Sequence, residues 1–191
     1  MILSIDVGIR NLAMCLIDEE TKLIHNWDVS GIPPQHQDGV FPCMRDHLDK
    51  RDWTLKATTV LIEKQPDKNR KMKAVENFLH AYFIIKIPNA DTIVYDARHK
   101  IPDVAGAGKA RYRQRKLTSI ERCREFINTG EVNNHWIEHF NDSKKKDDLA
   151  DTVMQALSYT KRVEPTTQSK KKAKTFKARK PTEHQKETKY S

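Results

Sequence analysis

The chain has 191 residues and a net charge of +9, long enough for one domain with a proper core and too short for two comfortable ones. No apolar run approaches the ~18 residues of a membrane span, and the start "MILSIDVG" lacks the basic residues and cleavage site of a secretory signal, so no membrane association and no secretion are expected. Three cysteines, Cys15, Cys43 and Cys123, without paired spacing exclude a disulfide framework and a zinc ribbon and point to a reducing, intracellular compartment.

Three strand-like stretches come first, "ILSIDV", "LAMCLID" and "KLIHNWDV", separated by the turn-sized "GIRN" and "EET". Connections that short force an antiparallel meander. Residues 30–40, rich in Pro and Gly, predict a loop, and Phe41 to Trp53 a helix. The segment "TTVLIEKQP", residues 58–66, then runs an apolar strand, Thr58 to Ile62, straight into a carboxylate, Glu63. Over 69–86, Met72, Val75, Phe78, Leu79, Tyr82 and Phe83 recur at helical spacing and predict a helix with a wide apolar face. "DTIVYDA" predicts a fifth strand, and from residue 109 only helices are expected, over 109–128, 133–140 and 143–162. A meander extended by parallel strands through crossover helices gives an α/β fold, one mixed five-stranded sheet flanked by helices on both sides. That order is the ribonuclease-H-like arrangement.

Residues 1–162 are expected to form this one domain. Residues 163–191 hold nine Lys and Arg against three Glu, so +6 of the net charge lies there. With Phe176 and Tyr190 as its only aromatics, this tail cannot bury enough surface to offset the entropy of ordering it, and disorder is expected. Two roles stay open for it, a solubilising or nuclear-import tail and an electrostatic arm for nucleic-acid phosphates.

Asp6 falls within the first strand, between Ile5 and Val7, where an uncompensated carboxylate is costly. Glu63 ends the fourth strand, a neighbour of the first in this arrangement, so the two acids are expected to converge. In "KKKDDLADTVMQAL", Asp148 and Asp151 share a helix face, turned away from Leu149, Ala150, Val153 and Leu157. Alone, such a pair near a helix start serves the helix dipole; beside Asp6 and Glu63 it extends an acidic cluster. Asp147, also one turn from Asp151, is an alternative to Asp148. Acids brought together repel by on the order of 4 kcal/mol per ionised pair at 4 Å and an effective dielectric near 20. The cluster therefore needs cations, and oxygen ligands select magnesium or manganese over zinc. Two such ions can activate a water on one side of a phosphodiester and stabilise the leaving oxygen on the other.

In order and topology, "IDVGIRNLA" with the first acid, "IEKQP" with the second, "YRQRK" opening a helix and "KKKDDLAD" with the last two resemble the RuvC-like Holliday junction resolvases. The resemblance is closer to their poxvirus-type branch, found in large DNA viruses. It runs from residue 5 to residue 151 and leaves out the tail. It implies a metal-dependent endonuclease that resolves four-way DNA junctions by paired symmetric nicks, in recombination and repair. Asp6, Glu63, Asp148 and Asp151 would bind Mg2+ or Mn2+, two ions per active site. Lys116 of "YRQRK", favoured over Lys109, would complete the catalytic set at the scissile phosphate, with Lys109, Arg111, Arg113 and Arg115 as DNA-binding residues. The protein would work at a cytoplasmic replication site or in the nucleus of an infected cell. The apolar ladder of the helix 69–86 continues into Ile84 and Ile85, more than one sheet contact covers. The family is dimeric through the corresponding helix, so a homodimer is expected, against the alternative of a helix simply buried in the core.

Other signals compete with this reading. "HWIEH", residues 135–139, matches an inverted zinc-protease pattern, but Trp136, Ile137 and Phe140 suggest packing. "GAGKA", residues 106–110, departs from a phosphate loop and is expected to be a flexible lead into the basic helix. Trp27, Trp53 and Trp136 are assigned to the core, and Gln65 is a minor site candidate. The first rival is a relative on the same fold with another substrate, a transposase or an enzyme degrading the RNA of RNA-DNA hybrids. The latter would take its second acid from the first helix, where "RDHLDKRD" offers several, and the strand-end Glu63 argues against it. A basic DNA-binding protein without activity would gain nothing from four acids near the DNA path.

Overall fold

Short turns fold the start of the chain into the expected meander. In the computed structural model, which describes residues 1–33, 39–96, 98, 100, 108–129 and 131–163, β1 (Ile2–Asp6), β2 (Leu12–Ile17) and β3 (Ile24–Ser30) pair antiparallel. The β1–β2 turn closes on Gly8, where a Cβ would stand 2.3 Å from the Asn11 carbonyl oxygen. The β2–β3 turn is held by the Asp18 carboxylate, which accepts the backbone N–H groups of Glu20 and Thr21 at 3.0 and 2.8 Å.

β4 (Thr59–Glu63) runs parallel to β1, with Ile2 opposite Thr59 and Ile5 opposite Ile62, and β5 (Asp91–Tyr95) runs parallel to β4. The sheet order is β3-β2-β1-β4-β5. One face packs on α1 (Val40–Asp49) and α2 (Arg70–Lys86), the other on α3 (Lys109–Asn128), α4 (Ile137–Asp142) and α5 (Lys146–Val163).

The strand period of two sorts the side chains. Leu3, Ile5, Met14, Val60 and Ile62 meet Met44 and Leu48 of α1 and Val75, Leu79 and Phe83 of α2. Ile2, Cys15, Ile17 and Leu61 meet Cys123 and Ile127 of α3, Phe140 of α4 and Leu149, Ala150 and Val153 of α5. Trp27 lies in this second core, stacked on Phe140 at 5.4 Å, its indole N–H donating to the Thr152 hydroxyl at 3.1 Å. Trp136 packs against the same core and Trp53 against the first.

The boundaries differ from expectation most clearly in four places. The helix expected over Phe41 to Trp53 stops at Asp49, and a separate 3-10 turn, Asp52–Lys56, follows and carries Trp53. The first strand ends at Asp6 rather than continuing through it, because the Gly8 turn begins directly after. The segment expected as one helix over 133–140 is a 3-10 turn, Glu131–Trp136, followed by α4. The last helix begins at Lys146 because Ser143 is extended and its hydroxyl takes the Lys145 N–H at 3.0 Å. All three cysteines are buried and free. Among the described residues no helix is long and apolar enough to cross a membrane. The expectations for the middle of the Pro/Gly loop, for Gly106 and Ala107, and for the tail from residue 164 fall outside the described residues.

Candidate active site

Strand parity places the first two acids together. Asp6 shares the face of Ile2 and Ser4, and Glu63 that of Leu61, so both project toward α3 and α5 from neighbouring parallel strands that end at the same edge. Asp151 reaches this edge from α5, its Oδ1 accepting from the Ser119 hydroxyl of α3 at 2.7 Å.

Between the three acids sits a residue the sequence reading did not select. Lys100, 6% exposed, places its Nζ 2.9 Å from Glu63 Oε1, 3.6 Å from Asp6 Oδ1 and 3.9 Å from Asp151 Oδ2. A signal existed: Lys100 lies a few residues past the end of β5, and β5 ends beside Glu63 in the parallel register. The charges follow from this packing. Burial pushes Asp6 well up, against the opposing pull of Lys100, and the adjacent Glu63 adds to the rise. Burial opposes ionisation of Glu63 too, but the nearer Lys100 ammonium and a hydrogen bond with Asp6 hold it at about 2. Burial disfavours the charged Lys100, and the three acids override it and raise its affinity for the proton. The Gln65 amide approaches Glu63 Oε2 at 3.3 Å.

Asp148 stands apart from this knot. Its Oδ2 is buried and meets no hydrogen-bond partner among the described residues. Burial and the neighbouring Asp147 charge raise its pKa. It lines, with Asp6, the turn from Val7 to Asn11, and Lys71 and Met72 of α2, a cleft of about 370 Å³. Asp147, weighed in the sequence as its alternative, is instead ion-paired with Lys116. Burial opposes the Asp147 charge, but the Lys116 ammonium holds the carboxyl below its ordinary range. Lys116 also lies 5.2 Å from the centre of the exposed Tyr112 ring. Lys109, Arg111 and Arg113 are exposed along the same end of α3, and Arg115 is half-buried. A larger cleft, about 970 Å³, lies beyond Lys100 between the later turns of α3 and α5, with Arg122, Lys161 and Arg162 on its walls.

Among the described residues no three His, Cys, Asp or Glu side chains enclose an ion as they stand. The donor set nonetheless fits a hard divalent cation. An ammonium group already occupies the place where three carboxylates converge, and a fourth acid keeps a buried oxygen that meets no partner among the described residues. The acids of α1 do not contribute. Asp46 pairs with Arg45 and Asp49 with Lys86 and Tyr82, on the α1–α2 side of the sheet.

Sheet order and helix placement define a ribonuclease-H-like α/β fold of the RuvC kind. Over residues 1–163 the chain matches the family model described as poxvirus A22 protein. It belongs to that family, the poxvirus Holliday junction resolvases, and is an endonuclease; resolvases of this kind are metal-dependent. Among curated proteins none matches the chain significantly. Among solved structures, fowlpox virus resolvase with its Holliday junction DNA superposes with a TM-score of 0.61 at 22% identity, covering 85% of this chain and 100% of that one. The yeast mitochondrial Holliday junction resolvase Ydc2 gives 0.57 at 16% identity, over 83% and 78% of the two chains. Thermus thermophilus RuvC with a Holliday junction substrate gives 0.54 at 13%, over 84% and 94%. At these identities the likeness is one of fold.

Proposed function

We propose that this resolvase cuts four-way DNA junctions by paired, symmetric nicks at a divalent-metal centre held by Asp6, Glu63, Asp148 and Asp151. The observation that carries the assignment is the convergence of Asp6, Glu63 and Asp151 on one ammonium group, with Glu63 as its nearest partner at 2.9 Å. The ions are two per site, Mg2+ or Mn2+. When bound, they supply a hydroxide nucleophile at neutral pH and neutralise charge on the leaving oxygen.

The chain's own residues orient and hold. β1 and β4 fix Asp6 and Glu63 at rigid strand ends, and Ser119 fixes Asp151. Lys100 balances the acids and limits their mutual repulsion. Lys116 brings a cation to the scissile phosphate, pre-oriented by Asp147, while Lys109, Arg111, Arg113 and Arg115 draw the neighbouring phosphates onto α3. Residues 1–162 are the nuclease domain, and the tail from 163 is an electrostatic arm. Two opposed cuts need two active sites. A two-fold homodimer through α2 would supply them. Its ladder residues Val75, Leu79, Tyr82 and Phe83 are spent on the sheet, but Ile84 and Ile85 remain 48% and 76% exposed, and Phe41 stacks on Phe78 at 5.1 Å.

Asp6→Asn should abolish cleavage of a labelled four-way junction in Mg2+ and leave junction binding intact. Near-normal cutting would sink the metal-site assignment. Sedimentation should give about twice the 22.2 kDa chain mass, and a monomer that still makes paired cuts would remove the dimer mechanism. Truncation after Val163 should flatten the slope of log affinity against log salt; an unchanged slope would return the tail to its solubilising role.

A further inference from the structure

Glu76 is a carboxylate where the periodicity of α2 requires an apolar side chain. Met72, Val75, Leu79, Tyr82 and Phe83 form the stripe packed on the sheet, and Glu76 lies within it, 2% exposed. Burial at that depth is strongly disfavoured unless both carboxylate oxygens are occupied. Both are. Oε1 accepts from Lys73 Nζ at 2.7 Å, and Oε2 accepts the backbone N–H of Gln65 at 2.5 Å.

The second bond falls where the sheet stops guiding the chain after Glu63. The Lys64 N–H still reaches the carbonyl of Tyr95, the last residue of β5, at 2.8 Å. The next residue, Gln65, lies past the end of that strand and is 9% exposed, and Pro66 restricts it to extended backbone. Its buried N–H takes Glu76 instead, and its side-chain amide turns back to lie 3.3 Å from both the Glu63 carbonyl and Glu63 Oε2.

We infer that Glu76 is a positioning residue for the metal site, acting through the Gln65 backbone to set the amide that orients the Glu63 carboxylate. The inference rests on Glu63 being a metal ligand, as proposed above. It makes α2, packed on the opposite face of the sheet, a determinant of how tightly the site holds its ions. Partners that orient a metal-binding carboxylate commonly govern affinity by 10–100-fold.

The test is Mn2+ binding to the full-length protein without DNA, followed by loss of the electron paramagnetic resonance signal of hydrated Mn2+. Glu76→Leu, which removes the acceptor and keeps the volume, should weaken binding by about tenfold or more. Glu76→Gln, which can still accept the Gln65 N–H, should stay within about threefold of the parent. A lower melting temperature of Glu76→Leu with unchanged Mn2+ affinity is the signature of a purely structural acid and overturns the inference. If Glu76→Leu does not fold, Gln65→Ala decides: weaker Mn2+ binding supports the relay and unchanged binding overturns it. Glu63→Gln separates the two claims. If it too binds Mn2+ like the parent, the metal-site assignment has failed; if it loses Mn2+ while a folded Glu76→Leu does not, only the role of Glu76 has failed.

Discussion

The two faces of the sheet are packed on different terms. Toward α1 and α2 the buried contacts are almost wholly aliphatic and aromatic, with Glu76 as the buried charge. Toward α3 and α5, polar groups thread the core. The Gln155 amide donates to the backbone carbonyls of Ile5 at 3.3 Å and Leu61 at 3.1 Å, Thr152 receives the Trp27 indole, and Ser119 holds Asp151. Asp6, Glu63 and Asp151 converge on this second face, and Asp148 lines the cleft at the end of the sheet that reaches round to α2. The difference teaches how one sheet carries both rigidity and charge: one face supplies apolar burial, and the other is spaced by polar side chains that let carboxylates end the strands without facing a hydrocarbon wall.

The sharpest way to break this division is at Glu63. Glu63→Gln should lower single-turnover junction cleavage by about a thousandfold or more, roughly 4 kcal/mol of barrier, while the fold and junction affinity persist. Loss of stability comparable to the loss of rate would show that the polar face is structural as well. On the other face the expectation reverses. Leu79→Ala, at a fully buried position on α2, should cost about 2–5 kcal/mol in urea unfolding, with cleavage per folded molecule nearly unchanged. Lys100→Met comes next. Removing the ammonium leaves three acids facing one another, so stability in a chelator should fall by about 1–3 kcal/mol, a loss softened because Asp6, already pushed up, can take a proton. Added Mg2+ should restore it, and a variant indifferent to Mg2+ would argue against a cation site there.

The smallest effect lies on the apolar face, at its rim. Asp49 accepts from Tyr82 at 2.7 Å and Lys86 at 2.8 Å, clasping α1 to α2, and these bonds, Lys86 foremost, hold its carboxyl below the ordinary range. A lowered folded-state value stabilises above the unfolded carboxylate pKa near 4 and is lost as pH falls through the lower folded value. The pair is partly exposed, so Asp49→Asn should cost under about 1 kcal/mol at pH 6 and less at pH 2. An equal cost at both would assign the effect to packing.

The topology was legible because it follows from connection lengths: turns too short for a crossover make a meander, and helices between later strands make them parallel. Asp6 and Glu63 were legible because they interrupt apolar strands at one edge. Lys116 was picked out by its motif, but its partner proved to be Asp147, and nothing in a helical repeat decides which of two adjacent acids a lysine meets. Lys100 was only faintly legible: it follows the fifth strand closely, but that signal points to Glu63 only once the register of β5 against β4 is known, and no periodicity marks the residue itself. Glu76 left a trace, an acid on an apolar stripe, that was passed over because an exposed acid on a helix is so common.

The burial of Cys15, Cys43 and Cys123 has a practical consequence. Desolvation pushes the Cys15 and Cys123 thiols up, away from the reactive thiolate, and Cys43 is 7% exposed. The native chain is thus nearly silent to maleimide reagents. A thiol placed in the exposed β2–β3 turn, as Glu20→Cys, would be the one site to take a fluorophore under brief labelling, without first stripping the natural cysteines from the core. Fluorescence from that single dye could then follow the arrival and departure of individual molecules on immobilised branched DNA.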